Sequence, residues 1–185
     1  MFIQTEATPN PATLKFLPGR DVMGAEPARD FPDSQSAARS PLATSLFAVA
    51  DVSGVFFGAD FIAVTKTSGD WQHLKPAVLG AIMDHFTRGD VLFEDGDAGS
   101  DAELAGDEDE VTLQIIELIE TRVRPAVAQD GGDIIFNRFE ADSGTVYLQM
   151  RGACAGCPSA EMTLKSGIEN LLRHYVPEVS RVEPA

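Results

Sequence analysis

An acidic run near the middle of the chain constrains the fold more than any other feature. Between Glu94 and Glu110 the sequence carries nine Asp and Glu residues, no Lys or Arg, and no aromatic residue. Like charges at this density repel one another, and the small side chains among them bury too little apolar surface to hold a compact fold. The run therefore predicts an extended, flexible linker over residues 94–110, between two small domains at 1–93 and 111–185.

The charge outside this linker is divided evenly between the two predicted domains. Each carries seven basic and ten acidic residues, and the whole chain of 185 residues has a formal net charge of −15. Nucleic acids and anionic membranes select clustered Lys and Arg, so neither is an expected partner. The most apolar stretch contains Asp51 and Asp60, and these two charges together oppose membrane insertion by about 5 to 7 kcal/mol. We expect a soluble protein that binds neither nucleic acid nor membrane.

The cysteines indicate a compartment. The chain has two, Cys154 and Cys157, which are too few and too close together to hold a secreted fold by disulfides. The first residues show neither a basic segment before an apolar one nor an Arg- and Ser-rich amphipathic stretch. From these two observations we expect the protein to be cytoplasmic.

The first domain is predicted to follow the order ββαββα. The expected elements are strands at 2–5, 13–17, 52–57 and 61–67, and helices at 41–50 and 70–87. Two prolines at residues 8–11 favour a turn between the first two strands, and Ser40 suits the N-cap of the first helix. Residues 21–40 are expected to form a long loop. Helices on one face of a sheet make this a small α+β domain, with Trp71 and His85 in its core.

The second domain is predicted to follow the order α-β-β-α-β, which makes the whole protein α+β. The expected elements are a helix at 111–123, strands at 134–139 and 144–151, a helix from Pro158, and a strand at 180–183. Pro125 is expected to bend or end the first helix, and residues 130–133 to form a turn. The last helix is expected to bury a stripe that ends at Tyr175. Its other face, with Lys165, Glu169 and Arg173, is expected to be solvated.

The chemistry of the chain centres on the Cys154-x-x-Cys157 motif. It falls between a predicted strand end and the start of the last helix, with Gly152 and Gly156 relaxing the backbone. The partial positive charge of a helix N-terminus favours thiolates, the species that bind metals and attack disulfides. Asp130, Gly131, Gly132 and Asp133 are explained more simply as turn residues.

Four interpretations of the motif compete. The cysteines could be two small apolar residues in a turn. A zinc site needs four ligands, and because His73, His85 and His174 are scattered, zinc would require two chains. A thiol-disulfide oxidoreductase fits the position at a helix N-terminus, but thioredoxin-like folds place the motif in a βαβ unit with more sheet to follow. The fourth is an iron-sulfur cluster.

Counting ligands favours the iron-sulfur interpretation. A cluster is held by about four Cys thiolates, and each chain supplies two. Two chains would therefore share one cluster across a two-fold axis at the cysteine loop. A cluster held between subunits is released more easily than one buried in a single chain, which suits a carrier.

At these residues the second domain resembles the C-terminal domain of NifU-like (Nfu) iron-sulfur scaffold and carrier proteins. The matching residues are Arg124-Pro125, Asp130-Gly131-Gly132-Asp133, Leu148, Cys154-Ala-Gly-Cys157-Pro158-Ser159, Thr163-Leu164-Lys165, Gly167-Ile168-Glu169 and Val176-Pro177-Glu178-Val179. The first domain resembles the N-terminal domain that many of these proteins carry. It does so through Thr8-Pro9-Asn10-Pro11, Leu14-Lys15-Phe16 and Pro18-Gly19.

The resemblance implies a non-enzymatic role. It implies that Cys154 and Cys157 bind a 4Fe-4S cluster in a homodimer, with a 2Fe-2S form also conceivable. The cluster would come from upstream assembly proteins and be delivered to apo iron-sulfur enzymes. The first domain would bind no metal and would serve partner interactions. A thiol-disulfide oxidoreductase is the alternative.

Overall fold

A computed structural model of the protein describes residues 2–94, 109–155 and 158–185. The chain divides into two compact units, one on each side of the division between residues 102 and 103. The predicted linker lies mostly outside the described residues. At the start of the predicted linker, the backbone N–H of Glu94 donates to the Arg39 carbonyl at 3.0 Å. Near its end, Asp109 caps the helix that follows.

The sheet of the first unit contains five strands within residues 2–94, all antiparallel. The strands are β1 (Gln4–Ala7), β2 (Thr13–Leu17), β3 (Arg29–Phe31), β4 (Val52–Phe57) and β5 (Ile62–Lys66), in the order β1-β2-β5-β4-β3. Both predicted hairpins are confirmed, because β1 pairs with β2 and β4 pairs with β5. The turn between β1 and β2 is closed by Asn10, whose side-chain oxygen accepts the N–H of Ala12 at 3.0 Å.

Helices cover one face of this sheet. They are α1 (Pro41–Phe47), capped by the Ser40 side chain, and α2 (Trp71–Arg88), which ends at Gly89 in the left-handed region. Their buried residues share a core with alternate residues of the sheet, including Phe16, Phe57 and Ile62. His85 is buried, and Trp71 is half-buried against the core.

The expected long loop at 21–40 is partly wrong, because it contains regular structure. Strand β3 pairs with β4 at the sheet edge, and Ser36–Arg39 forms a short 3₁₀ helix directly before α1. Three-residue strands have too few side chains to show an alternating pattern. Phe31 nevertheless lies in the core, with its ring 5.0 Å from that of Phe57. Pairing with β4, rather than local propensity, defines this strand.

The second unit packs helices on a three-stranded sheet within residues 109–155 and 158–185. The elements are α3 (Glu110–Leu118), a π-helical turn (Ile119–Val123), α4 (Arg124–Gln129), β6 (Gly132–Glu140), β7 (Thr145–Gly152), α5 (Pro158–Tyr175) and β8 (Arg181–Pro184). Strand β6 pairs antiparallel with β7, and β8 pairs parallel with β7. The core is formed by residues such as Ile119, Ile134, Leu148 and Leu172. The predicted α+β class and two-domain organisation are confirmed.

Of the two expected outcomes at Pro125, a bend or an end of the helix, the structure does not show an end. The helical path runs through the π-helical turn and continues as α4 to Gln129. Pro125 lies in the first turn of α4, where a residue lacking an N–H is tolerated. A π-helical turn is rare and has no simple sequence pattern, so the sequence indicates only a break.

One prediction about α5 is wrong, and another holds only for Arg173, whose side chain is 56% exposed. Tyr175 is 43% exposed and lies against Arg122, whose guanidinium carbon is 5.0 Å from the ring centroid. Lys165 is not simply solvated, because its Nζ donates to the carboxylate of Glu183 in β8 at 2.8 Å. Glu169 likewise accepts the backbone N–H of Val182 at 3.2 Å. This face of the helix therefore helps hold the last strand.

Among the helices of the described residues, none is long and apolar enough to cross a membrane.

Candidate metal centre

Cys154 lies in the loop that joins β7 to α5, where the sequence predicts the cysteine motif. The loop leaves the strand at Gly152, whose φ of 66° lies in the left-handed region that favours glycine. The backbone N–H of Ala153 then donates to the Gly131 carbonyl at 3.2 Å. This bond ties the start of the loop to the turn before β6. Gly156 and Cys157 lie outside the described residues.

The side chain of Cys154 is buried rather than displayed. The residue is 6% exposed and packs with the apolar core of the second unit. Its sulfur lies directly against Gly132, the first residue of β6. A Cβ atom placed on Gly132 would be 2.5 Å from Cys154 Sγ and 2.9 Å from the Arg151 carbonyl oxygen. Only a residue without a side chain leaves room for the thiol at this position.

The two adjacent glycines of the predicted turn therefore have different roles. Gly131 has a φ of 80°, so it serves the left-handed turn that the sequence predicts. Gly132 is not among the glycines with positive φ, and its distinguishing feature is the contact with Cys154. The sequence signal was the Gly-Gly pair itself, but only the pairing of β6 with β7 brings residue 132 next to residue 154.

Burial and, to a smaller extent, the nearby carboxylates of Asp130 and Asp133 together raise the pKa of the Cys154 thiol to about 11. The expected effect of the helix N-terminus, which favours a thiolate, is therefore opposed at Cys154 by burial and by these two carboxylates. A desolvated thiol near negative charge keeps its proton at neutral pH. Metal binding at this residue must release that proton, because the thiolate is the ligand.

An ion pair fixes the turn beside Cys154. Arg124, at the start of α4, donates from Nε and Nη2 to the two carboxylate oxygens of Asp133, each at 2.9 Å. Its Nη1 also donates to Glu120 at 2.9 Å. Burial alone lowers the Arg124 pKa, but the hydrogen bonds and charges of Asp133 and Glu120 hold it above its ordinary value. The sequence pattern predicts only a turn residue at Asp133 and contains no signal for this link from helix to strand.

The three histidines lie on two helices that belong to separate units. His73 and His85 belong to α2 of the first unit, and His174 lies in the last turn of α5. Because α5 begins at Pro158 and rises about 1.5 Å per residue, His174 lies at the end of the helix far from Cys154. Among the described residues, no group of three or more His, Cys, Asp or Glu side chains could hold a metal ion.

Comparison with known proteins gives two family matches. Residues 3–89 match the family described as "Scaffold protein Nfu/NifU N terminal", and residues 115–183 match the family described as "NifU-like domain". The second match contains both cysteines. The match to a solved NifU-like protein from Saccharomyces cerevisiae covers 51% of this chain and 85% of the yeast chain, with 22% sequence identity and a TM-score of 0.46. Those values are too low to add to the assignment.

Curated relatives are similar over nearly the whole chain. The "NFU1 iron-sulfur cluster scaffold homolog, mitochondrial" of Drosophila sechellia is 50% identical over 99% of this chain and 64% of its own length. "NifU-like protein 4, mitochondrial" of Arabidopsis thaliana is 51% identical over 99% of this chain and 65% of its own. The chain thus spans less than two thirds of the length of these relatives.

These relatives contradict the predicted cytoplasmic location, because they are named as mitochondrial proteins. The prediction was wrong because the two observations behind it, the small number of cysteines and the pattern of the first residues, are compatible with more than one compartment. The comparisons give no support to a thiol-disulfide oxidoreductase. With half of its residues identical to these relatives and a match to both family domains, the chain belongs to the Nfu/NifU family of iron-sulfur cluster scaffold proteins.

Proposed function

We propose that this protein carries a 4Fe-4S cluster, held by Cys154 and Cys157 from two copies of the chain, and transfers it to apo-proteins. The observation that carries the proposal is the position of Cys154 in the strand-to-helix loop, within the match to the NifU-like domain. The cluster is cargo rather than a resident cofactor. On this proposal the protein is not an enzyme, because it moves the cluster to a recipient and does not convert it into another compound.

The number of cysteines supports sharing between two chains. A cluster takes about four thiolate ligands, and the chain has only two cysteines. Two chains related by a two-fold axis supply four thiolates from one repeated loop. Separation of the two chains removes half of the ligands at once, which makes release to a recipient with its own cysteines favourable.

The electrostatics of the loop support release over tight retention. Asp130 and Asp133 lie close enough to Cys154 to raise its pKa, as burial does. These negative charges oppose a thiolate and reward its reprotonation when the cluster leaves. The Arg124 guanidinium is hydrogen-bonded to Asp133 and links α4 to this carboxylate.

We also propose that the first unit serves partner recognition. Its match to the Nfu/NifU N-terminal family contains no cysteine, so it has no thiolate to offer to a cluster. Deletion of this unit should leave cluster binding intact and slow transfer to some recipient apo-proteins. Equal transfer rates to every recipient tested would contradict this role.

Anaerobic reconstitution with iron and sulfide tests the binding site. The wild-type chain should give a brown dimer with about four irons per dimer, and the apo-protein should be a monomer. Cys154→Ser and Cys157→Ser should each lose the cluster. Ser159→Ala, which alters the first turn of α5 next to the loop without removing a thiol, is the matched control and should bind iron as the wild type does.

Size-exclusion chromatography with light scattering and iron analysis reads out both parts of the proposal. A cluster-loaded monomer would overturn sharing between chains. Full iron content in either cysteine variant would overturn the ligand assignment. A colourless wild-type protein whose two cysteines cycle between dithiol and disulfide would overturn the carrier function itself.

A further inference from the structure

We infer that Gly132 is a positioning residue for Cys154. The backbone of Gly132, which has no side chain, is the surface that the thiol contacts, and we call this surface the seat. The inference deepens the proposed function, on which its relevance to cluster binding depends. The seat itself is a property of the unloaded chain. It can be tested without any metal.

The seat is narrow because atoms of two residues, Cys154 and Arg151, lie close to the place that a Cβ would take. A Cβ on residue 132 would approach Cys154 Sγ to 2.5 Å, Arg151 O to 2.9 Å and Cys154 Cβ to 3.2 Å. The Arg151 oxygen belongs to the backbone of β7, where Arg151 is paired with Asp133. It cannot withdraw without disturbing the sheet. The thiol would therefore have to move.

Backbone conformation does not explain the glycine. Gly132 lies in strand β6 and is not one of the positive-φ glycines, so its backbone conformation does not require glycine. A glycine within a strand costs conformational entropy on folding compared with a residue that has a side chain. At Gly132 the missing side chain is compensated by the contact with Cys154, which buries the thiol against the core.

The seat determines where the sulfur lies before cargo arrives. A ligand held in one position by a packed backbone is pre-organised, so less ordering remains when the cluster binds. The same contact shields the thiol, because Cys154 is only 6% exposed. Filling the seat should therefore raise the reactivity of the free thiol and weaken its hold on the cluster.

The experiment measures alkylation of Cys154 by iodoacetamide in the full chain, with Cys157→Ser in every variant so that one thiol remains. Gly132→Ala should accelerate alkylation by about tenfold or more, the ratio that corresponds to a change of 1.4 kcal/mol in the free energy of opening. An alkylation rate equal to that of the Cys157→Ser parent would overturn the inference.

Gly144→Ala is the matched control. Gly144 lies at the opposite end of the β6–β7 hairpin, has a φ of 65°, and would place a Cβ 2.6 Å from the Glu178 carbonyl oxygen. It should destabilise the same unit without touching the thiol. If Gly144→Ala accelerates alkylation as much as Gly132→Ala under conditions of equal folding stability, general loosening explains the result and the inference fails.

A second measurement covers the case in which Gly132→Ala folds poorly. The clash with the sulfur disappears when Cys154 is replaced by alanine. Gly132→Ala should therefore lower the folding equilibrium constant in both backgrounds, but the factor by which it does so should be about tenfold smaller in Cys154→Ala than in the wild type. Equal losses in the two backgrounds would show that the Arg151 carbonyl alone excludes the side chain, which would overturn the seat.

Reconstitution of the chain with both cysteines separates this inference from the proposed function. Gly132→Ala should retain several-fold less iron than Gly144→Ala after gel filtration. If the wild type binds no cluster but Gly132→Ala still accelerates alkylation, the carrier function fails while the seat stands. If the wild type loads fully and Gly132→Ala neither alkylates faster nor loses iron, the seat fails while the carrier function stands.

Discussion

At the scale of single residues, His85 shows how burial couples stability to pH. Its imidazole is buried near the end of α2, with its ring edge-on to Phe86 at 5.3 Å. Burial lowers the pKa of His85, and the nearby charge of Asp90 opposes this only in part. The folded state therefore binds a proton less readily than the unfolded chain, in which the pKa is about 6.5.

This difference predicts the sign of a pH effect on the first unit. Its free energy of unfolding should fall as pH drops below about 6.5, because the unfolded chain then takes up a proton more readily than the folded chain does. The fall should end once the pH is below the pKa of His85 in the folded state. Urea unfolding followed by fluorescence of Trp71, the single tryptophan, measures it. The loss of unfolding free energy between pH 7 and 5.5 should be smaller in His85→Gln than in the wild type. It should equal the wild-type loss in His73→Gln, because His73 is exposed on the same helix. Equal falls in wild type and His85→Gln would contradict the prediction.

At the scale of elements, one ion pair joins a helix to the strand that carries the seat of Cys154. Asp133 is almost fully buried and receives two hydrogen bonds from Arg124. Replacement of Arg124 by Gln leaves a buried carboxylate without its cation, which should cost about 2 to 5 kcal/mol in the free energy of unfolding of the second unit.

Glu120 provides the control for this element-scale prediction. It contacts the same guanidinium but is about half exposed, so Glu120→Gln should change stability by no more than about 0.5 kcal/mol. Urea unfolding by far-UV circular dichroism measures both variants, with Trp71 fluorescence identifying the transition of the first unit. Equal effects of the two variants would show that burial of Asp133 does not matter.

Local sequence signals predict the elements well where the determining contacts are close in sequence. Ser40 and Gly89 mark helix ends that the structure confirms, because caps act within one turn. Strand β3 and the π-helical turn were not predicted. The strand depends on pairing with β4, which is distant in sequence, and a π-helical turn has no simple sequence pattern.

At the scale of the whole molecule, two units with separate cores predict independent folding. Fragments 1–94 and 109–185 each contain a complete core cluster. Each fragment should show a cooperative urea transition with the midpoint that its unit has in the full chain, measured by circular dichroism. The fragment 109–185 alone should also load iron as the full chain does. A fragment without a cooperative transition would contradict independent folding.

The sequence by itself determined the two-domain α+β organisation, the hairpins, most helix ends, the position of the cysteine motif and the family. These depend on periodicity, caps and motif spacing, which act over a few residues. Only the tertiary structure decided that Gly132 seats Cys154, that Arg124 pairs with Asp133 and that burial keeps the thiol protonated. Residues 132 and 154 meet because the register of β6 against β7 brings them together, and register is a property of the folded sheet.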